Sequence, residues 1–258
     1  MNRSTRILIG ASGYVGTTLQ GQTQFDAFYR SADINDIRGQ ASDLVVCAAA
    51  PAQKWLANRD PLADRENIER LIGHLASISC ATFVLISTVD VFSHPVDVDE
   101  STAVDETGLH AYGLHRRLLE KFVTSHFRKY LIVRLPGLVG PGLRKNIVYD
   151  FLHGNNLHAI DSRAVFQFYP MVNLWYDIQI ALAAELELVH LTAAPIAVSQ
   201  VAEQGFGKPF AQEQPAPVAR YDFRSIHAAR FGGEGAYQYS ARESIQAIRA
   251  YAQSELRK

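Results

Sequence analysis

The chain has 258 residues, 48% hydrophobic and 20% charged, with a formal net charge of −1. That is the make-up of a soluble globular protein that buries a large core as one big domain or two intimate ones. No Lys/Arg run is long enough to follow a phosphate backbone, which argues against nucleic acid as a partner, and no run of 18 apolar residues predicts a membrane span.

The N-terminus, Met1 to Arg6, carries no signal-like apolar region and runs straight into a first strand, Ile7-Leu8-Ile9. Glycines follow at 10, 13 and 16, and the pattern then turns helical over 14–20. A glycine-rich turn between strand and helix is a pyrophosphate cradle. Gly10 permits the tight turn, Gly13 lets the backbone approach the phosphates, and Gly16 lets the helix pack on the strand. The helix N-terminus adds unpaired N–H groups and a positive dipole end. A second strand is predicted over 25–29, ending Tyr29-Arg30-Ser31. An acid at this tip would suit the ribose of NAD, whereas an arginine suits the 2′-phosphate of NADP, so Arg30 and Ser31 tilt the expected cofactor to NADP over NAD.

After a polar stretch with a short apolar repeat (Ile34, Ile37), residues 43–47 form an apolar run typical of a doubly covered parallel strand. It ends on Ala48, Ala49, Ala50 and Pro51, small groups that leave room for a ligand or for tight packing. Ile68, Leu71, Ile72 and Leu75 predict a helix over 63–78, followed by a strand over 82–86 that ends in Ser87 and Thr88. A helix over 114–127 and a strand over 131–135 closed by Pro136 complete a strand–helix alternation. That alternation implies an α/β, doubly wound parallel sheet, with ligands bound at the carboxyl ends of its strands. The Rossmann-type part is expected over 1–137, completed by 165–190, with 138–258 a loop-rich, substrate-binding lid. Within the lid, 147–153 and 178–188 read as helices and 165–174 carries alternating aromatics. The last helix opens with a capping box, Ser240 and Glu243, and takes its apolar face from Ile245, Ile248 and Leu256. Cys47 and Cys80 read as buried thiols of a reducing cytoplasm, and the nine histidines show no zinc-like spacing, so no metal is expected.

Tyr112 and Arg116 stand at i and i+4 of one helix turn, downstream of Thr88 at a strand's carboxyl end. A phenol is a poor base at its free pKa of about 10, and a fixed positive charge beside it favours phenolate. A hydroxyl such as that of Thr88 can hydrogen-bond both the phenol and a substrate oxygen. Together with the glycine turn, these groups suit proton transfer beside a nicotinamide.

These pieces, in this order, resemble the extended short-chain dehydrogenase/reductases of the NAD(P)-dependent epimerase/dehydratase kind. The resemblance runs through Gly10-Ala-Ser12-Gly13-Tyr14-Val15-Gly16, Asp43 to Pro51, Leu85 to Phe92, Tyr112 to Arg116 and Val133 to Pro141. It implies a bound NAD(P), a nucleotide-activated sugar as substrate, Tyr112 as catalytic acid/base with Thr88 as its hydroxyl partner, and Pro136 beside the nicotinamide. Asn67 resembles the family's cofactor-side asparagine, and homodimers are common in the family. The family has lysine four residues after the tyrosine. Arg116 keeps the charge, but as a bulky planar group that is never neutral. The family's dehydratases carry an Asp-Glu pair after the serine or threonine. Here Thr88 is followed by Val89 and Asp90, which leaves epimerisation or keto-sugar reduction. Asp90, Arg144, Asn146, Arg220 and Arg224 are candidate substrate contacts. Two other readings stand beside this one. One is an NAD(P)-binding sensor without chemistry, motivated by Arg116. The other is a reductase of small carbonyls with an aromatic pocket at Phe166, Phe168 and Tyr169.

Overall fold

The structure, a computed structural model, describes residues 5–255. Leu256, assigned above to the last helix, lies outside the described residues.

The elements in chain order begin with β1 (Arg6–Ile9), α1 (Tyr14–Gln22), β2 (Ala27–Tyr29) and β3 (Ala41–Cys47). They continue with α2 (Lys54–Arg59), α3 (Pro61–Leu75), β4 (Ser79–Thr88), β5 (Val96–Val98), α4 (Ala111–His126) and β6 (Tyr130–Leu135). There follow β7 (Gly137–Val139), α5 (Ile147–His153), β8 (Val165–Phe166), β9 (Phe168–Pro170), α6 (Leu174–Ala183) and β10 (Leu188–His190). The chain ends with β11 (Ile196–Ala197), the short α7 (Val198–Gln200), β12 (Asp222–Phe223) and α8 (Ala241–Ser254). These elements fall into two compact units, one made of 5–93, 103–134 and 178–189, the other of 94–102, 135–177 and 190–255.

The first unit is organised on a six-stranded sheet in the order β10-β6-β4-β3-β1-β2. β1 pairs in parallel with both β2 and β3, and β3 pairs in parallel with β4. The chain therefore leaves β1 in one direction for β2 and returns past it to β3. The β1/β3 crevice is where strand order reverses, the place at which such sheets bind ligands. The core is aliphatic and doubly covered. Ile9, Val45, Cys47, Phe83 and Leu85 from the strands pack with Ile68 and Leu75 of α3 and with Leu119 and Val123 of α4. Phe83 and Phe127 stack at 4.1 Å between centroids. Burial pushes the Cys47 thiol up to about 12 and Cys80 to about 11. The two are free, and Cys80 is in register with Ser42, well away from Cys47 along β3.

The α4 helix carries a buried ion pair into this core. Glu120 and Arg134 are 0% and 2% exposed, and Glu120 accepts from Arg134 Nε at 2.9 Å and Nη2 at 2.8 Å. Ser87 Oγ donates to the same carboxylate at 2.6 Å. Ser87 is in phase with Phe83 and Leu85, so the two-residue strand period aims it at α4 and turns its neighbour Thr88 the other way.

Several predicted elements differ at their ends. Helix α4 starts at Ala111 because the His110 side chain caps it, accepting from the Gly113 N–H at 3.0 Å. The second strand is shorter than expected and begins at Ala27. The predicted helix over 178–188 begins earlier, at Leu174, and stops at Ala183. Helix α2 and strands β5 and β10 have no counterpart in the sequence reading.

The second unit has three two-stranded ladders. β7 pairs in parallel with β9, β12 in parallel with β5, and β8 antiparallel to β11. So short a sheet is stitched by side chains. Gln167 Nε2 donates to the Thr192 hydroxyl and to the Ala193 and Phe223 carbonyls within 2.9 Å, and its Oε1 accepts from the Phe223 N–H. Tyr169 and Tyr239 both donate to Asp177, at 2.5 and 2.8 Å. Helix α8 is capped as expected, with Ser240 and Glu243 exchanging bonds.

Candidate active site

In the first unit the glycine turn lies at the carboxyl end of β1. Gly10 has φ +87°, and a Cβ on it would sit 2.5 Å from the Ala48 carbonyl. The small-residue end of β3 is thus the wall against which the glycine turn packs. A Cβ on Gly16 would meet the Gly10 carbonyl oxygen at 2.2 Å, whereas one on Gly13 would find only that oxygen, at 3.5 Å. Gly10 and Gly16 are therefore fixed by the protein's own backbone, and the space over Gly13 is open. Gly13 caps α1 with no side-chain hydrogen bond, and the first turn has no acidic residue to compete with an anion. Ser12 is exposed, with Tyr14 and Val15 half-buried beside it. These features fit a dinucleotide pyrophosphate.

The tip of β2 reaches the same turn, because the Tyr29 carbonyl accepts the Gly10 N–H at 2.8 Å. Here the sequence reading missed an acid. Asp33 folds back to accept the Arg30 N–H, and its carboxylate lies 3.9 Å from the Arg30 guanidinium. The strand tip therefore offers both an arginine and an acid, with Ser31 exposed between them. The spacing of Asp33 from the glycines, about 20 residues, was the available signal.

The second group of residues gathers at the end of β4. Thr88 is the last strand residue, its hydroxyl accepts the Asp90 N–H at 3.2 Å, and it lies near enough to the Tyr112 phenol to favour the ionised form. Tyr112 lies in the first turn of α4, 8% exposed. Gly113 is required beside it, since a Cβ there would lie 2.1 Å from the Asp90 carbonyl oxygen. Asn58 of α2 accepts the Tyr112 N–H at 3.0 Å. Asn58, not Asn67, is thus the asparagine of this cluster. Asn67 falls outside the Asp64-Ile68-Leu71-Leu75 stripe of α3, is exposed, and accepts from Arg70.

Arg116 is 3% exposed, with its Cζ 4.1 Å from the Tyr112 ring centroid. Its terminal nitrogens donate to Asp64 and to the Pro51 carbonyl, and Nη1 also approaches the Tyr112 carbonyl at 3.4 Å. Asp64 is shared with His115 Nδ1 at 2.7 Å. The phenolate expected from a neighbouring cation is not what this burial produces. Desolvation raises the Tyr112 pKa above its ordinary value and Asp90 adds to it, against the opposing Arg116, Thr88 and Lys54. A phenol with its pKa raised this way stays protonated at neutral pH and can donate a proton. Lys54, also missed, pairs with Asp90 at 2.7 Å.

The remaining candidates belong to the second unit and are described there alone. Pro136 is buried directly after β6. Asn146 is committed to capping α5, accepting from Val148 and Tyr149 N–H groups while donating to the Leu138 carbonyl at 2.8 Å. Arg224 is paired with Asp222 at 2.6 Å and with Asp97. Arg144 and Arg220 are exposed. Phe168 and Tyr169 are 2% and 0% exposed, core residues instead of pocket lining.

No family model and no curated protein matches the chain. Solved structures do. A dTDP-4-dehydrorhamnose reductase of Clostridium acetobutylicum is 18% identical, with 96% of this chain and 99% of that chain covered and a TM-score of 0.71. The RMD protein of Pseudomonas aeruginosa, complexed with NADPH, is 17% identical over 98% and 100% of the two chains, with a TM-score of 0.73. A UDP-N-acetylglucosamine 4-epimerase of Methanobrevibacter ruminantium, in complex with UDP-N-acetylmuramic acid, is 12% identical over 98% of each chain, with a TM-score of 0.75. Over nearly its whole length the chain has the Rossmann-type fold of these reductases and epimerases.

Proposed function

We propose that the protein is an NAD(P)-dependent oxidoreductase that reduces a keto group on a nucleotide-activated sugar. The observation that carries this reading is the buried Tyr112 beside Thr88 at the carboxyl end of β4, in the same unit as the open glycine turn. NAD(P)H, held by Gly10, Gly13 and Gly16 at that turn, would supply the hydride to the carbonyl carbon. Tyr112 supplies the proton to the oxygen, and Thr88 orients both the phenol and the substrate oxygen. Gly10, Gly13 and Gly16 with the α1 N-terminus take the pyrophosphate, Arg30 and Asp33 meet the adenosine ribose, and Ala48 to Ala50 line the cofactor's path. A neutral phenol can donate the proton that reduction of a carbonyl requires. The like-folded proteins include both reductases and epimerases, and the RMD protein is complexed with NADPH.

The test is NAD(P)H oxidation with a panel of nucleotide-keto-sugars, comparing wild type with Tyr112→Phe. Loss of about 10²–10⁴-fold in kcat, with cofactor affinity kept, is expected when a positioned proton donor is removed. Equal rates in the two proteins defeat the mechanism.

A further inference from the structure

Tyr112 has two cations near it, and they are held differently. Arg116 is 3% exposed, and its guanidinium is bound by Asp64, the Pro51 carbonyl and the Tyr112 ring. Its charge is permanent and its place is fixed. Lys54, the first residue of α2, has a side chain 38% exposed, and its ammonium lies 2.7 Å from Asp90 Oδ1. Asp90 stands two residues after Thr88, and its own N–H is bound by the Thr88 hydroxyl. Its carbonyl packs under Gly113, next to Tyr112. Asn58, on the same short helix as Lys54, holds the Tyr112 N–H. Three contacts therefore tie α2, the β4 end and the α4 start together around one phenol.

We propose that Lys54, tethered by Asp90, is a positioning residue that governs the Tyr112 proton, the partly exposed counterpart of a buried Arg116. The proposal rests on the reading of Tyr112 as proton donor. Asp90 opposes a negative charge on the phenol and Lys54 favours it. With the pair closed, Lys54 offsets part of the Asp90 charge at Tyr112. A substrate group that took Asp90 as a hydrogen-bond acceptor would release the ammonium toward the phenol as its proton leaves. The other charged or titratable groups facing Tyr112 are Arg116, held by Asp64, and His110. Burial and the Lys54 charge lower the His110 pKa, so it stays neutral. Asp64 and His115 are screened from the phenol by Arg116.

The test places 3,5-difluorotyrosine at position 112 of the full chain. Its phenol titrates several pH units below that of tyrosine, and ¹⁹F NMR follows it without cofactor or substrate. Lys54→Met should raise the apparent pKa at 112 by about half to one pH unit, and less at high salt, because the ammonium is partly exposed. Lys54→Arg should restore it, and Asp90→Asn added to Lys54→Met should bring it back down. Arg59→Met, a cation removed from the same helix, should leave it unchanged. A titration indifferent to Lys54→Met, in a protein whose melting temperature is unaltered, overturns the proposal. The same variants in the turnover assay separate this outcome from failure of the functional reading. Turnover whose kcat and pH profile ignore Lys54→Met sinks the Lys54 role and spares the reading. A ¹⁹F shift in a protein that binds no NAD(P)H supports the coupling and sinks the reading.

Discussion

The Arg116 guanidinium sits 4.1 Å from the Tyr112 ring centroid while Asp64, 52 positions earlier in the chain, holds one of its terminal nitrogens. A cation over an aromatic face is favourable, but here the same charge is buried and must be matched. Arg116 is thus foremost a bracket joining α4 to α3 and to the Pro51 carbonyl. Removing it by Arg116→Met strands a buried Asp64 with only His115, and a loss of about 3–5 kcal/mol in urea unfolding is expected. Arg116→Lys keeps the charge but cannot span both acceptors, and should lose less. In the Asp64→Asn/Arg116→Met double variant the losses should fall well short of additive. Additive losses would show that the pair does not act as a unit.

The glycine turn predicts two separable effects. The open space at Gly13 means that Gly13→Ala should keep the melting temperature and lose dinucleotide affinity, read by NAD(P)H fluorescence titration. The Gly16 Cβ would lie 2.2 Å from the Gly10 carbonyl oxygen. Gly16→Ala should therefore lose stability before any question of binding arises, since the helix must back away from the strand. A stable Gly16→Ala protein would contradict the packing described here.

Much of this was legible in local pattern. The first strand, its glycines and the first helix follow one another within a few residues, and the strands β3, β4 and β6 announce themselves as apolar runs because both sheet faces are covered. Thr88 and Tyr112 stand out in the sequence because each marks the end of a strong element. What stayed hidden depends on partners far apart in the chain. Nothing in residues 51–62 signals a helix strongly, so Lys54 and Asn58 were passed over, and only the fold carries them to Asp90 and Tyr112. Asp33 was missed because the chain doubles back after β2. Asn67 looked suitable in sequence and falls outside the buried stripe of α3. In the second unit, strands of two or three residues have no periodicity to read. Their order is written in side-chain stitches such as that of Gln167 to Phe223.

The buried Glu120 gives a pH prediction. Burial alone would raise its pKa, but Arg134, Ser87 and Arg117 together hold it below the ordinary carboxylate value. A carboxylate whose folded pKa is depressed contributes stability above its unfolded value of about 4.3, and that contribution is lost as the pH falls through the folded value. Wild-type stability should therefore drop on acidification below about pH 4.5, with Glu120→Gln showing a shallower slope by about one proton. At neutral pH that variant removes the carboxylate charge facing the buried Arg134, at a cost of about 3–5 kcal/mol. Parallel pH profiles of wild type and Glu120→Gln would exclude Glu120 as a source of the acid sensitivity.

Cofactor choice should turn on two neighbouring side chains. The Arg30 guanidinium favours a 2′-phosphate, and the Asp33 carboxylate 3.9 Å away opposes one while offering an acceptor to a free 2′-hydroxyl. The side chains are 54% and 37% exposed, so each charge acts through water and its effect is modest. Asp33→Asn should raise the NADPH-over-NADH affinity ratio by about five- to tenfold, roughly 1 kcal/mol for one unit charge at this distance in high dielectric. Arg30→Ala should lower the ratio by a similar factor, with NADH affinity almost unchanged. Both effects should shrink in concentrated salt. Competitive titrations of the two cofactors decide the matter. A ratio that ignores Asp33→Asn would mean that the adenosine ribose is read by groups other than the tip of β2.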